Sequence, residues 1–190
     1  MFALITETIC YLLFFFLVLK ILKSGKSDEI VSFILPVMLF YFFIEFMSVN
    51  NQKYVFSDEF SIFIFNVPLS ILVLWVVLLY FCFSLTEWIA RHYSLSLPIY
   101  KLSALDSVFA VLISILLEPI PVKLGLWRFL SNPIYFGIPV WNFIGKFLSV
   151  GLFSLGYRGF KNIRFKKRII LTYLYIFLIL VARFIAYKFV

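Results

Sequence analysis

The sequence predicts an all-α protein: a polytopic transmembrane helical bundle of about six spans. Three observations predict it. The chain of 190 residues is 64% hydrophobic and only 14% charged. Its mean hydropathy is +1.09, far above that of a soluble domain. Several continuous apolar runs reach the ~20 residues that a helix needs to cross hydrocarbon, and none shows the alternation of a transmembrane barrel.

The expected spans are 3–22, 30–49, 61–85, 103–120, 136–156 and 169–189, in one transmembrane domain covering 1–190. The first, "ALITETICYLLFFFLVLKIL", has no basic n-region before it and no small-residue cleavage site after it. It reads as a spanning helix and not as a removable signal peptide. Between spans three and four, "EWIARHYSLSLP" reads as an interfacial segment with aromatic and basic anchors.

Net charge is +8. In a soluble chain that would raise nucleic acid as a partner; here the cations sit in short loops, so nucleic acid is not expected. Lys20, Lys23 and Lys26 fall in the first loop and Arg91 and Lys101 in the third. Arg158, Lys161, Arg164, Lys166, Lys167 and Arg168 fall in the fifth, and they also offer a surface for anionic lipid headgroups. Lys53, Lys123, Arg128 and Lys188 fall on the other side. Lysine and arginine concentrate in cytoplasmic loops, so the odd loops are expected inside and both termini outside, in a multi-pass protein of the cell membrane. Cys10 and Cys82 lie in apolar runs without metal spacing, and His92 is the single histidine. No metal site and no cofactor is expected.

Ionisable groups inside a span are costly and mark function by default. The candidates are Glu7, Glu45, Asp106, Glu118, Lys146 and Arg183. Glu7 and Arg183 fall at similar depth and are expected to pair. Glu45 and Glu118 are both expected in the outer half. Asp106 lies twelve residues before Glu118, about 18 Å along a helix, too far for direct contact. Pro119 and Pro121 end the helix at Glu118. A carboxyl at a broken helix end in an apolar shell has the setting of a general acid. Lys146 is expected to meet an inward carboxylate or a polar cavity, and Gly145 with Ser149 to serve helix packing.

The stretch 116–146 also reads as one unit. Glu118 precedes Pro119; Gly125, Leu126 and Trp127 follow; then come Tyr135, Phe136, Gly137, Ile138 and Pro139; then Asn142, Phe143 and Gly145. Upstream, Glu45 precedes Tyr54 and Phe56, then Val67, Pro68 and Leu69, then Trp75. This ordered set, over residues 41–146, resembles the integral-membrane carotenoid biosynthesis family that includes the carotenoid 1,2-hydratases and bisanhydrobacterioruberin hydratases. The chain departs from the pattern at Ser114, where a further aspartate is usual, and at Phe129 and Lys146, where tryptophans are usual.

The resemblance implies acid-catalysed hydration of the terminal ψ-end double bond of an acyclic carotenoid. The partners would be the bilayer, an acyclic carotenoid, water and other carotenoid enzymes. Glu118 would act as the acid and Glu45 would orient water. Trp127, Tyr135, Trp75 and Tyr54 would line the site of the cation with Pro139 at its edge, and Asn142 would bind the water or the new hydroxyl. Asp106 and Lys146 would give support. Two alternatives stand beside it. A membrane lycopene cyclase shares the protonation step. The substrate-capturing subunit of a vitamin uptake transporter shares the six helices, but the first helix lacks the expected small residues four apart after Ala3. An assembly protein without catalysis is the remaining reading.

Overall fold

Three of the long helices start directly after a proline in extended backbone. Pro68 precedes α3 (Leu69–His92), Pro98 precedes α4 (Ile99–Leu117) and Pro139 precedes α6 (Val140–Phe160). Proline lacks an N–H and holds φ fixed, so it suits the step into a helix and not the interior. The computed structural model describes residues 1–131 and 133–188, with side chains as far as Phe184. Residue 189 of the sixth expected span and the side chain of Lys188 lie outside the described residues. The other long helices are α1 (Phe2–Lys23), α2 (Leu35–Asn50) and α7 (Phe165–Lys188). A wider π-helical turn, Ile30–Ile34, feeds α2. Pro36 is the second residue of α2, and the widened turn before it accommodates a residue that has no N–H to give the preceding turn.

The protein is all-α, with small strands only at one end. By length and composition, four helical segments among the described residues can cross a membrane: Phe2–Lys23, Ile30–Asn50, Leu69–His92 and Ile99–Lys123. The helices α6 and α7 are as long but more polar: α6 carries Asn142, Lys146 and Arg158, and α7 opens on Lys166, Lys167 and Arg168.

Two expected boundaries shift for a visible reason. The third span starts at Leu69 and not at 61, because β2 (Phe63–Ile64) and β3 (Val67–Pro68) form a hairpin before it. The fifth starts at Val140 and not at 136, because Tyr135 and Ile138 bridge across Phe136 and Gly137. Both turn residues have positive φ, 46° and 86°, as a two-residue hairpin turn of this hand requires. The segment 87–98 is also half helical, since α3 runs on to His92.

The strands β1 (Tyr54–Phe56) and β4 (Trp127–Phe129) pair antiparallel, Tyr54 with Phe129 and Phe56 with Trp127. Backbone bonds Ser57 N to Leu126 O (2.8 Å) and Leu130 N to Lys53 O (2.9 Å) extend the ladder. This clip ties the α2–α3 connection to the α5–α6 connection and closes one end of the bundle; α5 is the short helix Pro119–Lys123.

Helices α4 and α6 share the most extensive interface. Small residues allow it: a Cβ on Gly151 would lie 2.8 Å from Ser107 Oγ. Gly156 is tighter still, with the Tyr175 ring of α7 where its Cβ would stand. Gly145, in contrast, has nothing within 4 Å of such a Cβ, so the expected packing role of Gly145 passes to Gly151 and Gly156.

The same interface buries an ion pair. Asp106 Oδ2 accepts from Arg158 Nε at 2.8 Å and Oδ1 from Nη2 at 3.0 Å. Ser154 Oγ donates to Oδ2 at 2.5 Å. Arg158 also reaches Glu87 Oε1 at 3.5 Å, and Lys161 reaches the same oxygen at 2.7 Å. Arg158 is therefore a buried helix residue and not a loop cation, and Asp106 is occupied away from Glu118. The expected Glu7–Arg183 pair is not formed. Both Glu7 oxygens accept from Ser61 N at 3.0 Å and one from Ser61 Oγ at 2.6 Å, while Arg183 Nη2 lies 3.5 Å from Ser48 Oγ.

Breaking a buried pair strands the remaining charge, at a cost of about 3–5 kcal/mol, whereas replacing both members by apolar residues of similar volume is often near neutral. Asp106→Leu alone is expected to lower the unfolding midpoint in detergent sharply, and adding Arg158→Met to restore most of it. A single variant as stable as the parent would show that the pair carries no structural cost.

Candidate active site

Glu118 follows the last residue of α4. Its backbone is still helical (φ −67°, ψ −28°) and its N–H reaches Ser114 O at 2.9 Å. Pro119 then opens α5, a place where a missing N–H costs nothing. The break leaves the carboxylate at the bundle's interior, 7% exposed. Its Oε2 accepts from Asn142 Nδ2 at 2.9 Å and from Lys146 Nζ at 2.5 Å. Asn142 and Lys146 are one turn apart on α6, so one helix face supplies both donors. Lys146 Nζ also reaches Ser114 Oγ at 3.3 Å.

Glu45 is buried as well and is met differently. Trp75 Nε1 donates to its Oε1 at 2.7 Å. Tyr41, one turn before Glu45 on α2, stacks under the Trp75 ring at 4.0 Å and 17°. Lys146 Nζ stands 5.5 Å from the same ring, within cation–π range. One indole thus holds one carboxyl by its edge and the other's counter-ion by its face.

Two cavities meet at this cluster. One, of about 420 Å³, lies among α1, α3, α4 and α5 and is mostly apolar, with Ile9, Leu13, Ile71, Leu78, Ile113 and Leu117 in its wall and Trp127 and Phe129 from the strand clip. The other, of about 330 Å³, lies among α2, α6 and α7 and is lined by Tyr41, Ser48, Trp141, Ser149 and Arg183. Glu45, Tyr54, Trp75, Asn142 and Lys146 border both, and Glu118 borders the apolar one.

Glu118, Glu45, Trp75, Trp127, Tyr54, Asn142 and Lys146 therefore come together. Tyr135 and Pro139 line neither cavity. The Tyr135 hydroxyl donates to Ile115 O at 3.1 Å and its ring packs on Phe136 and Phe143; Pro139 introduces α6. Both build the wall from behind. The sequence did not mark Tyr41, Ser48 or Trp141 as site residues, and Ser149, expected to serve packing, lines the second cavity. The spacing of Tyr41 and Glu45, one helical turn, was the available signal. Cys10 lines the apolar cavity, and both cysteines are unpaired. Among the described residues no three His, Cys, Asp or Glu side chains converge to hold a metal ion.

Trp75→Phe keeps the ring face and deletes the N–H, leaving buried Glu45 without its donor. A loss of roughly 1–3 kcal/mol is expected, measured as unfolding free energy in detergent. Unchanged stability would mean that another group serves Glu45 as well.

The family model described as carotenoid biosynthesis protein matches residues 6–189. No curated protein and no solved structure matches the chain. With the match covering nearly its whole length, the chain belongs to the carotenoid biosynthesis protein family.

Proposed function

We propose that the protein hydrates the terminal double bond of an acyclic carotenoid at the junction of its two cavities. The observation that carries this reading is the junction itself. An apolar cavity suited to an isoprenoid end group and a second one that carries the polar groups of Ser48, Ser149 and Arg183 share Glu45, Trp75, Asn142 and Lys146. Hydration needs an alkene and a water molecule at one acid, and the second cavity offers the water a place.

The ion pair supports a division of labour between the carboxyls opposite to the one that the resemblance implied. Glu118, bonded to Lys146 and Asn142, acts as the carboxylate. Glu45, held by one neutral donor, acts as the acid. A proton from Glu45 adds to the less substituted alkene carbon and leaves a tertiary cation on the other. The rings of Trp127 and Tyr54, which line the apolar cavity, stabilise that cation. Water, held by Asn142, bonds to it and gives its spare proton to Glu118. The proton then passes from Glu118 back to Glu45, so alkene and water become a tertiary alcohol with nothing left over. In the membrane, six crossings with the first, third and fifth connections in the cytoplasm put this junction in the outer half, by the distribution of lysine and arginine.

Expression in a lycopene-producing host, with pigment mass analysis, tests the reading. Added water on the pigment is expected, and a β-ionone ring would sink the proposal in favour of a cyclase. Both Glu45→Gln and Glu118→Gln are expected to abolish hydration. In deuterated water they should part company: Glu118→Gln still lets the alkene end take up deuterium, and Glu45→Gln does not. The opposite pattern would return the acid role to Glu118.

A further inference from the structure

We infer that the apolar cavity opens sideways to the lipid, through a mouth between α1 and the α4–α5 junction, and that this mouth binds the polyene chain behind the reacting end group. The inference rests on the reading of the site as one that acts on a long acyclic hydrocarbon.

The cavity's wall residues separate by exposure. Those deep in the protein are covered: Leu126 is 2%, Ile71 5% and Trp75 8% exposed. Five others line the cavity and face outward at once: Ile9 (53%) and Leu13 (46%) on α1, Leu117 (58%) at the end of α4, Ile120 (55%) on α5 and Leu124 (38%) just after it. Residues that belong to both the cavity and the outer surface mark where the cavity opens. Helix α1 packs mainly on α3, and α4 mainly on α6 and α3. The helix α3 is thus the common floor, and the gap between α1 and α4 points outward.

Every large residue at this rim is aliphatic. In water such an opening would be costly, but in hydrocarbon it matches its surroundings. A hydrocarbon chain passing between these side chains meets apolar contacts from bilayer to cavity, with Thr6 the one hydroxyl of α1 in the cavity wall. Volume agrees. About 420 Å³ is on the scale that encloses a single drug-sized ligand, too little for a whole carotenoid. One end group reaches Glu45 and Glu118 while the rest of the polyene lies in the mouth and the lipid.

The test measures binding, apart from chemistry. The full chain is purified in detergent from lycopene-producing cells, and bound lycopene per protein is read from polyene absorbance. Ile9→Trp and Leu117→Trp narrow the mouth; Leu12→Trp and Leu116→Trp place the same ring on exposed positions that do not line the cavity. The rim variants should retain about a tenth of the parental lycopene, the control variants all of it. Ile9→Phe and Leu117→Phe, smaller changes, should give intermediate values and keep the comparison valid if a tryptophan variant folds poorly. Equal retention by rim and control variants would overturn the mouth, even where the parent hydrates its pigment. A parent that holds lycopene without ever adding water, with rim variants that lose it, would overturn hydration and leave the mouth standing. A parent that binds no lycopene would overturn both.

Discussion

Two ion pairs that cross between α4 and α6 set the geometry on which the site depends. Asp106 meets Arg158 near one end and Glu118 meets Lys146 near the other. Residues 106 to 118 and 146 to 158 span the same twelve steps, on helices that run antiparallel, so both pairs fit one register about 18 Å apart. A shift of either helix by one turn would break both at once. In hydrocarbon, where an unpaired charge is costly, that is a strong constraint. Ser107 and Gly151, between the pairs, let the backbones come close enough for short side chains to meet.

The two pairs have different company. Asp106 is surrounded by Arg158, Ser154 and, through Ser154, Ser103, with every contact inside the protein. Glu118 and Lys146 border a cavity. The first pair is complete without a ligand; the second leaves space in front of it. That contrast separates a closed pair from one open to a cavity, although Asp106, Glu118 and Lys146 read alike as charges in apolar runs. Trp75 extends the contrast to α2 and α3, because its N–H fixes Glu45 while its face lies by Lys146.

The sequence made the helices legible because hydropathy and length are local properties. It made the carboxylates legible because a charge in an apolar run stands out. Lys146 was expected to find an inward carboxylate, and Glu118 is that partner. Whether Arg158 belonged to a loop or a helix depended on where α6 begins, and a four-residue turn at Tyr135–Ile138 decides that. The pairing of β1 with β4 joins segments some seventy residues apart, and three-residue strands carry too little pattern to announce themselves. Tyr135 looked like a site residue because it sits in the motif, yet its hydroxyl is taken by Ile115 O. Proximity in sequence placed it in the wall and not at the cavity.

Ser114 and Lys146 touch each other at 3.3 Å. The same ammonium meets Glu118, so one lysine of α6 ties the last turn of α4 and the residue that ends it through two acceptors. Glu45, on α2, is left to a neutral donor, the N–H of Trp75. Two buried carboxyls thus share a neighbourhood with one ammonium and are met unequally. A buried charge is tolerated where a partner and further hydrogen bonds satisfy it, and in this cluster Lys146, Asn142 and Ser114 together do so. The cluster therefore depends on α6 arriving in register with the end of α4, which is the register that Asp106 and Arg158 hold at the other end.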